Sequence, residues 1–381
     1  MKINLLAVGL FLIPMLAFSD QNENFPVPPS GFDVMQNGIP HGTVTASLNY
    51  PTRNYGTRQF TIYLPPGYST STHYPVLYLL HGVGGNQVSW IGQGSNEGTA
   101  QHVLDGLYSR SLARPMIIVM PYGNMTNTTG DTWQNFQDVL IDDLIPYIQA
   151  NYSTTTNGLN RALAGLSMGG GQTLNFGPRN TSLLNWIGAF SPAPNSADAA
   201  TNFPNLTDAR TNIRLFWISC GGADASYALT NCTNYHNFVM NNNISQHLYQ
   251  LEPNLGHEKL TWNRSLYNFA QRIFPATTGV FHGTGDGKVN QARVVVRMFR
   301  DAGGIMRFSL FAPNGSVSLD ILRPDGSRAA SMGSRNLVSG STEFSWNGKV
   351  EGRSAPVGIY FGSIRWNGVK ANGFRFVIAP E

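Results

Sequence analysis

Apolar residues in this chain fall into short runs, and the spacing within those runs changes along its length. TVTASLNY (43–50) and RQFTIYL (58–64) alternate apolar and polar residues, as an antiparallel pair with one exposed face requires. PVLYLLH (75–81), MIIVMP (116–121), RALAGLS (161–167), NWIGAFS (185–191), IRLFWISC (213–220) and QHLYQLEP (246–253) follow. Several of these are nearly continuous apolar runs, which suit strands covered on both faces. Helical patterns at 97–109, 134–151, 168–180, 231–243 and 261–273 separate the later runs. Eight strands in this arrangement predict an α/β fold, a doubly wound and mostly parallel sheet flanked by helices.

From about residue 290 the helical period stops. MRFSLFAP, SVSLDILRPDG, STEFSWNG, GIYFGSIRWNG and GFRFVIAP are short strands broken by turn residues, and they predict a small all-β sandwich over 291–381. TTGVFHGTGDGKVN (277–290) has no apolar period and reads as the linker after a first domain at 21–276. Its GDGKVN holds a single acid, Asp286, too few for a calcium loop. At the other end Lys2 precedes LLAVGLFLIPMLAF (5–18) and then polar SDQNEN. That order predicts a cleaved signal peptide over 1–20 and a secreted mature protein; the stretch is short for a membrane span.

Composition sharpens the division. Charged residues make up 12% of the chain, about half the usual share, and hydrophobic residues 41%, which excludes disorder and coiled coil. The net charge of +4 is unevenly spread. Residues 1–290 hold 13 basic and 15 acidic side chains (net −2), whereas residues 291–381 hold 12 and 6 (net +6). A polyanion partner therefore concerns only the last domain. Cys220 and Cys232 have 11 residues between them and fit an exported protein with one disulfide, the alternative being two unpaired buried thiols. No CxxC or HExxH spacing occurs, so neither a metal nor another cofactor is expected.

The strongest chemical signal is GLSMGG (165–170), a GxSxG pentapeptide directly after a strand and before a helix-compatible stretch. This context places Ser167 on a sharp turn as a nucleophile, with Gly165 and Gly169 avoiding side-chain clashes and a helix N-terminus beneath it. A serine nucleophile needs a base, and the base needs an orienting acid, in the chain order Ser, acid, His. His257 stands in a loop between a strand and a helix, whereas His236 lies in a helix, His247 begins a strand and His282 is in the linker. Asp224 follows the strand ending at Cys220, whereas Asp198 and Asp208 sit in a polar loop as solvated or capping acids. The expected oxyanion donors are the Met168 N–H and, from HGVGGN (81–86), the Val83 N–H with Gly84 as the alternative. His81 precedes the nucleophile and reads as structural.

PPSGFDVMQNGIPHG, YLPPGY, VLYLLHGVGG, DLIPYIQANY, RALAGLSMGGGQTLNFG, CGGAD and GHEKLTW, in this order, resemble the feruloyl esterase domains of carbohydrate esterase family 1. Esterase D and the mycolyltransferases are more distant relatives. The resemblance spans roughly 28–275 and implies an α/β-hydrolase fold, with Ser167, Asp224 and His257 on the triad positions. It implies release of ferulate or related hydroxycinnamates from plant cell-wall arabinoxylan. Acetyl groups on xylan are an alternative substrate, acyl transfer an alternative outcome, and a wall-binding protein with an idle hydrolase fold an alternative of another class. Trp90, Trp133 and Trp262 are read in loops flanking the proposed oxyanion segment, the strand MIIVMP and the catalytic histidine, and are candidate walls of an acyl pocket, with plain core packing as the alternative. FSWNGKVEGRSAPVGIYFGSIRWNG (344–368) resembles the FlgD-like or secretion-tail Ig modules of exported bacterial enzymes. That module is a candidate contact to wall polymers or the cell surface, and no nucleic-acid motif is present.

Overall fold

The computed structural model describes residues 25, 27–125, 136–244, 246–274, 295–300, 306–311, 315–337, 341–356 and 358–378. The expected leader at 1–20 and linker at 277–290, and also Trp133, lie outside the described residues. The chain divides into two compact units, Met1–Leu107 with Pro115–Gln271, and Tyr108–Arg114 with Arg272–Glu381.

The first unit is built on one eight-stranded sheet. Its strands are β1 (Thr43–Pro51), β2 (Thr57–Leu64), β3 (Val76–Leu80), β4 (Ile117–Pro121), β5 (Arg161–Leu166), β6 (Trp186–Phe190), β7 (Leu215–Gly221) and β8 (His247–Glu252). They lie in the order β1-β2-β4-β3-β5-β6-β7-β8. β1 and β2 pair antiparallel, as do β2 and β4; the other pairs are parallel. β3, β4, β5, β6 and β7 are buried at every residue, which is why their sequences are apolar runs without alternation. β1 is mostly exposed and carries an irregularity between Thr45 and Leu48, where Ser47 takes φ 53°.

Helices cover the sheet: α1 (Ala100–Ser109), α2 (Phe136–Asp138), α3 (Ile145–Asn151), α4 (Met168–Phe176), α5 (Ala199–Asn202), α6 (Leu206–Asn212), α7 (Ser226–Asn241) and α8 (Lys259–Ala270). A π-helical segment, Val139–Leu144, joins α2 to α3 just before Pro146, whose missing N–H interrupts the α-helical ladder. Phe136, Leu140, Leu144 and Ile148 from this stretch bury against Phe60, Val76, Tyr78, Ile117 and Val119 of the sheet. Farther along, Phe203, Tyr235 and Val239 pack with Leu174, Ile187, Phe216 and Ile218. Each such fully buried side chain contributes about 1.5–3 kcal/mol, so these layers fix the strand ends that carry the site.

α7 starts at Ser226, earlier than its apolar period implies, because the turn at Asp224 launches it: the Asp224 carboxylate accepts the Ala225 N–H at 2.7 Å. α5 and α6 were not expected from periodicity. Asp198 accepts the Thr201 N–H at one N-terminus and Asn205 accepts Thr207 and Asp208 N–H groups at the other, so capping substitutes for a long apolar stripe.

From Val295 on, the described residues of the second unit form strands and the turns between them. The unit contains β9 (Val295–Arg300), β10 (Met306–Phe311), β11 (Gly315–Leu322), β12 (Arg328–Leu337), β13 (Ser341–Trp346), β14 (Lys349–Val350), β15 (Arg353–Ser354), β16 (Gly358–Trp366) and β17 (Val369–Ile378). One sheet runs β13-β10-β9, a second β12-β11-β16-β17, and β14 and β15 form a small hairpin. Val317, Leu319 and Ile321 alternate inward from β11 and meet Phe308, Leu310, Phe344, Trp346, Tyr360 and Ile364 in a core of their own.

Candidate active site

Four loops at the C-terminal ends of β3, β5, β7 and β8 converge on one point of the first unit, the edge where parallel sheets hold their ligands. Ser167 lies between β5 and α4 with φ 49° and ψ −114°, outside the ordinary regions for an L-residue. The surroundings impose that backbone. Ser167 N–H donates to Phe190 O at 2.9 Å, its own carbonyl accepts from Gly171 and Ala193, and Gly169 N–H donates to His81 O at 3.1 Å. A Cβ on Gly165 would stand 2.6 Å from the Gly169 backbone, and one on Gly169 would stand 2.7 Å from Leu80 O and His81 O. The glycines flanking Ser167 are thus required by close backbone approach, and the serine is pushed out of the strand.

The structure brings the three expected polar residues into one chain. The Ser167 hydroxyl is 3.0 Å from His257 Nε2, and His257 Nδ1 is 2.7 Å from Asp224 Oδ1. The geometry suits Ser167 O–H donating to Nε2 and Nδ1–H donating to the carboxylate. Asp224 Oδ2 accepts from the Ser191 hydroxyl at 2.6 Å, and Oδ1 also accepts the Ala225 N–H. Burial alone would raise this carboxyl. The hydrogen bonds from His257 and Ser191, the His257 charge and the Ala225 N–H outweigh it and hold Asp224 below its ordinary range. A buried, charged acceptor on Nδ1 orients the imidazole with Nε2 facing the serine.

The segment after β3 runs beside the Ser167 turn, where Gly169 N–H meets His81 O. Gly85 N–H closes a turn onto Gly82 O at 3.1 Å, leaving Val83 and Gly84 as its central residues, with Gly84 at φ 78°. The Val83 side chain is exposed. Met168 begins α4, so its N–H is among those without an intrahelical acceptor. Both expected amides therefore lie on the segments bordering Ser167.

Two buried residues hold this turn. Glu97 accepts the Gly82 N–H at 2.9 Å. Burial pushes its carboxyl up, against the Gly82 N–H and the Ser95 hydroxyl, which pull it down. His81 bonds the Gly82 carbonyl through Nδ1 at 2.7 Å and accepts the Gly123 N–H on Nε2 at 3.0 Å. Burial lowers it to about 4, with the Gly82 carbonyl opposing and Arg58 adding to the shift, so a neutral tautomer joins the loops after β3 and β4. His81 has the structural part expected of it.

The aromatic expectations divide. Trp90 is wholly buried, donates Nε1–H to Leu80 O at 2.9 Å and packs edge-on to Phe190, so it is a core residue and no pocket wall. Trp262 lies in α8 rather than a loop, nearly buried, with its ring 5.1 Å from the His257 ring and perpendicular to it. The expected disulfide is absent: Cys220 on β7 and Cys232 on α7 are free, buried thiols. Both belong to the apolar layer between strand and helix, and the Cys232 thiol donates to Ser219 O at 3.5 Å, so packing accounts for the pair without a bridge. Ser191, Glu97 and Tyr227, whose ring lies 5.7 Å from that of His257, are additions to the expected residues. Ser191 ends NWIGAFS, and its place after a strand at the same sheet edge was the available signal; Glu97 and Tyr227 carried none.

Comparison with known proteins places these features in a family. The model of a family described as putative esterase matches residues 54–267. An endo-1,4-beta-xylanase/feruloyl esterase of Xylanibacter ruminicola is 30% identical over 65% of this chain and 34% of its own length. Endo-1,4-beta-xylanase Y of Acetivibrio thermocellus is 34% identical over 30% of this chain and 11% of its own length. The chain thus spans about a third or less of these relatives. Among solved structures, a CE1 ferulic acid esterase of Anaeromyces mucronatus superposes with a TM-score of 0.56 at 26% identity, over 65% of this chain and 96% of that one. Its complex with ferulic acid gives 0.57 at 25%, with the same coverage. The eight-stranded sheet with its flanking helices is an α/β-hydrolase fold, and the chain belongs to the esterase family.

Proposed function

We propose that this chain is a secreted serine esterase that releases ferulate and related hydroxycinnamates from plant cell-wall arabinoxylan through an acyl-enzyme. The observation that carries the reading is the unbroken Ser167–His257–Asp224 chain, with distances of 3.0 and 2.7 Å. His257 Nε2 takes the Ser167 proton as Oγ attacks the ester carbonyl, and Asp224 stabilises the imidazolium. The Met168 and Val83 amides hold the oxyanion. The carbon–oxygen bond to the alcohol breaks, and the alcohol leaves with the proton from Nε2. Water, activated by the same imidazole, then attacks the acyl-enzyme, releases the acid and restores Ser167.

Feruloyl chemistry is supported by two relatives, one named a xylanase/feruloyl esterase and the other a ferulic acid esterase. Export is supported by Lys2 and the apolar stretch at 5–18. The basic C-terminal unit, net +6 over 291–381, suits contact with acidic wall or surface polymers. Rates of the purified protein on methyl ferulate and on acetylated xylan test the substrate. Faster release of ferulate is expected, and hydrolysis of acetyl groups alone would overturn the feruloyl reading.

A further inference from the structure

We propose that Tyr227 is the platform on which the alcohol part of the ester, a sugar ring, lies during the reaction. This rests on the esterase reading above and adds a residue that fixes which alcohols are accepted. The imidazole of His257 returns its proton to the leaving oxygen through Nε2, so the alcohol must lie beside that ring. Among the described residues, two aromatic rings flank it. Trp262 approaches at 5.1 Å but is only 9% exposed, whereas Tyr227 approaches at 5.7 Å, with an interplanar angle of 71°, and is 38% exposed. Of the two, Tyr227 offers the accessible surface.

The ring is held in place. Tyr227 lies in the first turn of α7, three residues after Asp224, so the turn that positions the acid also positions the ring. Asn231, one helical turn on and on the same face, donates to Ala193 O at 2.8 Å, and Ala193 N–H donates to Ser167 O at 2.9 Å. An aromatic face stacks on the C–H face of a sugar, and its hydroxyl bonds sugar hydroxyls, whereas a methyl alcohol offers neither contact.

The test compares kcat/KM on methyl ferulate with kcat/KM on a 5-O-feruloyl arabinofuranoside, for the unaltered protein, Tyr227→Ala and Tyr227→Phe. A ratio within one protein is insensitive to the fraction folded. The preference for the sugar ester should fall about tenfold in Tyr227→Ala, mainly through KM, and should be largely kept in Tyr227→Phe, which retains the stacking face. A preference unchanged in Tyr227→Ala, with both esters slowed alike, would overturn the platform and leave the esterase reading standing. If the unaltered protein cleaves neither ester, the esterase reading fails and the platform with it.

Discussion

Asp224 and His81 are buried titratable groups whose surroundings push both pKa values down, with different results. For Asp224 the partners of its charged form win over burial, so its contribution is present at neutral pH and is lost as pH falls through its lowered folded value. Asp224→Asn keeps the shape but removes the charge that fixes the His257 tautomer. A fall in kcat of about 10³–10⁴ is expected, with the melting temperature measured alongside to show that the fold survives. For His81 burial favours the neutral form. The unfolded chain takes up a proton near 6.5, the folded chain only near 4, so stability should decline as pH drops between these values, by about 3 kcal/mol in all. His81→Asn removes that titration, and urea unfolding at several pH values should show a shallower decline than in the unaltered protein. An identical decline would assign the loss to other groups. The Ser167, Asp224 and His257 positions were legible because each follows a strand end in the required order. Trp90 and the cysteines were not, since position in a sequence does not show which way a side chain points across a packed layer.

The strand–turn–helix element around Ser167 stores strain. Its φ of 49° and ψ of −114° suit glycine better than an L-residue, so Ser167→Gly should be more stable than Ser167→Ala by about 1 kcal/mol, as thermal or urea unfolding can measure. Equal stabilities would mean that the turn relaxes. Gly169→Ala places a methyl group 2.7 Å from two backbone oxygens that cannot yield independently, since they belong to the end of β3 and the start of the Val83 turn. A loss of about 2–3 kcal/mol together with reduced turnover is expected. Elements buried at every residue, such as β3 and β5, were legible because apolar runs bounded by turn residues leave few alternatives. α5 and α6 were not, because helices of four and seven residues are set by the Asp198 and Asn205 caps and carry too little apolar period to be seen.

At the scale of the whole molecule, the sequence divides its charge and its strand patterns at the same place. Net −2 over residues 1–290 leaves the first unit without a strong field, and the neutral polysaccharide ester proposed as its substrate requires none. Raising salt to about 1 M should therefore leave turnover of methyl ferulate nearly unchanged while abolishing retention of the full chain on an anionic polymer. Turnover that falls with the same salt dependence as retention would place the charge effect at the active site. The all-β unit was legible from alternation alone, as in β11, where Val317, Leu319 and Ile321 face inward and Ser318 and Asp320 do not. The central claim is that Ser167 is the nucleophile of an ester hydrolase. Release of ferulate from methyl ferulate by purified Ser167→Ala, set against the unaltered protein, tests it most directly. A fall of at least about a thousandfold is expected, and turnover within about tenfold of the unaltered protein would contradict the account.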